Sequence, residues 1–105
     1  MKLRHATTRQ RLASIQAEGL RVAKAQGKEP AIWLHTASKT HWAIAHTQKR
    51  HGSRLTDIVI LEVQVSRKTL RRAWTGLWKC YVDVQPSALK VLGTGEDYAA
   101  SPLEG

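Results

Sequence analysis

The sequence predicts an α+β fold in a single small domain, and three observations carry that prediction. The stretches "AIWLH" at 31–35 and "DIVILEVQV" at 57–65 are short, apolar and rich in Ile, Leu and Val, as strands are. Two further segments, beginning near Thr8 and Lys39, lie between helix-start residues and a stopping glycine. The segments between the later strand candidates are too short for full crossover helices. Mixed or antiparallel sheets with two main helices are therefore expected, rather than a doubly wound parallel sheet. A chain of 105 residues has room for one modest core.

In order along the chain, "KLRH" is a short strand candidate ending at His5. Thr7 and Gln10 have capping-box spacing, which starts a helix near Thr8. Leu12 and Ile15, with Ala13 and Ala17, give that helix an apolar side; Gly19 stops it, and Leu20 folds back on Ile15 in a Schellman ending. "RVAKAQGKEP" is a polar connection. "AIWLH" reads as a strand covered on both faces. Thr36 or Ser38 caps the next helix, about Lys39 to Arg50, and Gly52 ends it. In "DIVILEVQV", Val59, Leu61, Val63 and Val65 share one face, with Glu62 and Gln64 on the other. "SRKTLRR" fits a short helical turn capped by Ser66. "GLWKCYVDV" is another strand, with Trp78, Cys80, Val82 and Val84 on one side, and "QPSALKVLG" is a turn and a last short strand. The division expected is a domain over 1–92 and an acidic, flexible tail over 93–105.

Charge narrows the partners. All 17 Lys and Arg residues precede Gly93, while Glu96, Asp97 and Glu104 of the eight acids follow it. Such a surface attracts polyanions, nucleic acid first among them. Arg67, Lys68, Arg71 and Arg72 cluster on the expected turn, and with Arg54 they are candidate phosphate contacts. No apolar run reaches membrane-spanning length, so no membrane partner is expected. The start "MKLRHATTRQ" lacks an apolar h-region, and the lone Cys80 fits a reducing compartment, so a cytoplasmic location is expected.

Residues 31–51 hold four of the five histidines and two of the four tryptophans. His35, His41, His46 and His51 are separated by six, five and five residues. Steps of five turn about 140° around a helix and scatter the rings, so no metal site is expected. In a chain without phenylalanine, two or three of the tryptophans are expected to do bulky core work, the remainder lining a stacking pocket. No nucleophile stands out: Cys80 lies among apolar residues, and no carboxylate pair is placed for acid–base work.

A strand ending in "RHATT", a helix closing with "IQAEGL", and a strand "IWLHTAS" feeding a helix "THWAIAH" resemble the ADP-ribosyltransferase superfamily. The later "TGLWKCYVDVQPSAL" is most similar to its RNA 2′-phosphotransferase branch. The resemblance covers most of residues 3–92 and implies NAD as the cofactor. It implies that His5 and Thr7 hold the NAD ribose and phosphate region, with Ala6 where the family has glycine. It further implies that His35 and Thr36 lie beside the nicotinamide, walled by Trp33 or Trp42. The branch relies on arginines, and Arg71 is the arginine taken as catalytic beside His5 and His35. Enzymes that modify proteins commonly carry a glutamate near the start of a late strand, and "TGLWKCYVDV" has none.

Two functions follow as expectations. The first is an NAD-dependent transferase acting on a nucleic-acid or protein acceptor. The second is a non-catalytic basic module binding RNA, DNA or another acidic partner, which the missing glutamate and the surplus of bases favour; a purely structural role stands third.

Overall fold

Six extended segments pair into one sheet in the computed structural model, which describes residues 1–25 and 28–99. The elements are β1 (Lys2–Thr8), α1 (Arg9–Glu18), β2 (Ile32–His35), α2 (Thr40–His51), β3 (Ile58–Gln64), β4 (Leu70–Trp74), β5 (Leu77–Cys80), β6 (Leu89–Thr94) and α3 (Gly95–Ala99). The strand order is β4-β5-β2-β1-β3-β6, and every pairing is antiparallel. The α+β class is therefore as the sequence predicts, with antiparallel rather than mixed pairing and α1 and α2 as the main helices. Among the described residues no helix is long and apolar enough to cross a membrane.

Period-two patterning distributes the apolar side chains over two cores. Register puts Leu3, His5 and Thr7 of β1 on the same face as Val63, Leu61 and Val59 of β3. Ile15 and Leu12 of α1 pack on that face with Ile32, Leu34 and Cys80. On the opposite face Ile58 and Ile60 pack against Ile44 of α2, with Leu92 and Tyr98 beside them. β3 is thus covered on both sides, which is why its alternating face is joined by two further buried isoleucines. Burial of these side chains, at about 2 kcal/mol each, is the main term holding helices to sheet.

Several elements depart from the sequence reading. β1 runs on to Thr8, so Thr7 is buried in a strand, and Thr8 makes no side-chain capping bond to α1. "LRRAW" is strand β4; only Arg67–Thr69 is a helical turn, because pairing with β5 overrides the local preference. Trp33 of β2 is exposed on one face. β5 ends at Cys80, leaving Val82 exposed, while Val84 forms an isolated bridge with Leu20. The Leu20 N–H therefore donates to Val84 rather than closing a Schellman loop. Residues 93–99, expected in a flexible tail, complete β6 and form α3, held by Tyr98 against Ile58 and Ile60; 100–105 lie outside the described residues. Finally, the core is aliphatic: Trp78 packs at its edge, and no tryptophan is fully buried.

The α2 terminus gives a clean prediction. Gly52 has φ +64 and ψ +26, its N–H donates to the Gln48 carbonyl at 2.7 Å, and no atom lies within 4 Å of a Cβ built there. Gly52→Ala therefore meets only the backbone cost of the left-handed conformation. A loss of about 1 kcal/mol is expected in urea unfolding, with an unchanged m-value.

Candidate functional site

The site is made by a fork in the sheet. β1 pairs with β3 along its whole length but with β2 only at Arg4 and His35. Beyond that pair β1 and β2 part, and α1 and α2 stand on either side of the gap. A cavity of about 670 Å³ occupies it, within the range of small-molecule sites.

His5 holds the fork open. The Trp33 carbonyl lies on the β2 edge nearest β1, where a continued ladder would give it the N–H of Ala6. The His5 Nδ1 takes that role at 2.8 Å. A carbonyl only accepts, so Nδ1 carries the proton. Burial lowers the pKa of this imidazole, the bond to Trp33 opposes the shift, and the Arg11 guanidinium lowers it further. His5 is therefore neutral near pH 7, and its Nε2 offers a lone pair.

His35 is the second imidazole. It lies on the sheet face of Arg4, opposite to that of His5, and the gap lets both line one cavity. It is 4% exposed, and its Nε2 has no hydrogen-bond partner among the described residues. Burial pushes its pKa down to about 3, with His5 and Arg4 adding in the same direction. A buried nitrogen without a partner costs about 1–3 kcal/mol, an expense that a ligand hydrogen bond would relieve.

The walls are aromatic and basic. Trp33, Trp42 and Trp74 line the cavity and are 37%, 46% and 69% exposed. This overturns the expectation that two or three tryptophans serve the core; aliphatic side chains fill it instead, with Trp78 at its edge. Trp42 stacks on His46 with ring centroids 5.0 Å apart and planes 10° from parallel. Arg11 and Arg50 stand on the rim, and both depress the pKa of His51, below the desolvation effect in size. Arg21 and Lys24 also line the cavity but are paired with Asp83 and Glu18. None of the described residues that line it is an Asp or Glu.

The structure thus brings together His5, Thr7, Trp33, His35 and Trp42 of the sequence-predicted site. Thr36 lies just outside the lining; its N–H donates to the Gly76 carbonyl at 3.0 Å, tying the end of β2 to the β4–β5 turn. Arg71 is not brought in. Its guanidinium lies 6.0 Å from the Tyr81 ring centroid, on edge strand β4, and it is not among the described residues that line the cavity. Arg54, Arg67, Lys68 and Arg72 are exposed and line no part of it.

Sequence reading missed Arg11, His46, Arg50 and Trp74. Trp42, His46 and Arg50 are spaced by four, so a shared helix face was legible. Nothing local marks Arg11 or Trp74. The remaining helix histidine, His41, bonds the Tyr98 carbonyl at 3.1 Å. No group of three His, Cys, Asp or Glu is placed to hold a metal among the described residues. No family model matches the chain, and no curated protein matches it.

Proposed function

We propose that the cleft binds NAD and that the protein is an NAD-dependent transferase of the ADP-ribosyltransferase type, closest to the RNA 2′-phosphotransferase branch. The observation that carries this reading is the pair of neutral imidazoles, one with a lone pair at Nε2 and one with an orphaned nitrogen, lining one cavity in which no described residue is a carboxylate.

The residues present fit the dinucleotide. The His5 Nε2 accepts from a ribose hydroxyl, not from a phosphate, because a neutral imidazole with a protonated Nδ1 has only an acceptor left there. His35 supplies a second polar anchor in a dry setting where a hydrogen bond is worth more than in water. The indoles of Trp33 and Trp42 offer flat faces for nicotinamide. Arg11 and Arg50 supply the positive field for the pyrophosphate. When bound, NAD supplies an ADP-ribosyl group on a labile bond to nicotinamide. The chain's part is then to orient it, hold phosphates and exclude water, a largely electrostatic and positional contribution.

The lack of a carboxylate among the described lining residues supports the arginine-reliant branch over enzymes that modify proteins. It equally favours the second reading, a binding module without turnover. Calorimetry with NAD tests the shared premise: binding in the millimolar range or tighter is expected. His5→Ala is expected to weaken it about tenfold and, because the Trp33 carbonyl loses its donor, to lower the melting temperature modestly. No heat at millimolar NAD with folded protein would end the proposal. Nicotinamide release in the presence of a 2′-phosphorylated oligonucleotide separates turnover from binding alone.

A further inference from the structure

The half of the sheet beyond the fork carries an aromatic and basic face that runs outward from the mouth of the cleft. α2 packs mainly on β1 and β3, leaving one face of β2, β5 and β4 open. Register places Trp33, Lys79 and Arg71 in one row across the three strands. The row is bound together: Lys79 lies 5.1 Å from the Trp33 ring centroid, Arg71 lies over the Tyr81 ring, and Glu29 bonds both Lys79 and the Tyr81 hydroxyl. Trp33, Trp74 and Tyr81 are all exposed there, and Trp33 and Trp74 reach the mouth of the cavity.

Exposed rings on one sheet face, two of them beside a cation, suit a ligand with flat faces and a polyanionic backbone. Glu29, the carboxylate in this network, is offset by Lys79, while Arg71 on this face and Arg67 and Lys68 in the turn before β4 leave a positive balance; Arg72 pairs with Trp78 and belongs to the opposite face. We infer that this face binds single-stranded nucleic acid, with bases stacked on Trp74 and Tyr81 and phosphates along Arg71, Arg67 and Lys68, and delivers it to the cleft as the acceptor. Duplex is disfavoured because its bases are already stacked and cannot lie on the rings. The role as acceptor rests on the transferase reading; the binding does not. This gives Arg71, which does not line the cleft, a use as a phosphate contact.

The test is fluorescence anisotropy with labelled oligo(U), oligo(dT) and a duplex, each about ten nucleotides long. Single strands are expected to bind with an affinity that falls steeply with salt, and duplex at least about tenfold more weakly. A preference for oligo(U) or for oligo(dT) identifies RNA or DNA as the source, and either supports the inference. Tyr81→Ala is expected to weaken single-strand binding about tenfold, while Tyr81→Phe retains it and NAD affinity is unchanged in both. Equal binding of duplex, or equal loss in Tyr81→Phe and Tyr81→Ala, would overturn the stacking role. Oligonucleotide binding with this pattern but no NAD binding would remove the transferase reading and leave the platform standing.

Discussion

Gly19→Ala is expected to unfold the domain at urea concentrations where the natural sequence remains folded. Gly19 has φ +83 and ψ −170, a region open essentially to glycine alone. A Cβ built there lies 1.9 Å from the Val84 carbonyl oxygen and 3.1 Å from a Pro86 ring carbon. That oxygen is not free to retreat, because it accepts the Leu20 N–H at 2.9 Å, while the Val84 N–H returns to Leu20 at 2.8 Å. Leu20 and Val84 are both in the main core, so moving the bridge also disturbs packing there. Backbone strain and overpacking together put the loss at about 3 kcal/mol or more. Against a total of about 5–15 kcal/mol, that is a large fraction. Measured beside Gly52→Ala, it separates the two glycines: the same substitution in open space should cost a fraction as much. Equal midpoints for the two variants would show that the Leu20–Val84 bridge is not the constraint described.

His35→Leu is expected to make the protein more stable and to weaken ligand binding. At neutral pH, replacing an unpartnered buried imidazole with an apolar side chain of similar size should gain about 1 kcal/mol. The gain should widen in acid. The folded-state pKa of His35 is about 3, below the ordinary value of 6.5, so between these values the unfolded chain binds a proton that the folded chain refuses. Stability from this group is therefore fully present above pH 6.5 and is lost as pH falls toward 3, at about 1.4 kcal/mol per pH unit. His5, also held below its ordinary value, contributes in the same direction. Urea unfolding of both proteins at pH 7 and pH 5 reads the effect as a stability gap that grows on acidification. NAD affinity should fall at least about tenfold, since the anchor is gone. A variant that is less stable yet binds as before would make His35 an ordinary structural residue.

Local signals located the helices well because their limits are backbone chemistry. Gly19 and Gly52 end α1 and α2 as the sequence indicates, each donating its N–H back to the helix, although after Gly19 the next N–H goes to Val84 instead of back to α1. The β3 strand was legible from its alternation. "LRRAW" was not, since arginines carry no strand signal and only the β5 partner makes the segment extended. The same holds for 93–99: Tyr98 finds a place against Ile58 and Ile60 that composition does not reveal.

By itself the sequence determined the α+β class, the two main helices, the basic surface and the residue types available for a site, all properties of short windows or of totals. Only the tertiary structure decided where they meet. His5 and His35 point from opposite sheet faces by strand register, and they share a cavity because β1 and β2 hold together at a single pair before parting. Which tryptophans were core and which were walls, and that Arg71 belongs to an open sheet face, depended on pairing between strands distant in sequence, which no local pattern encodes.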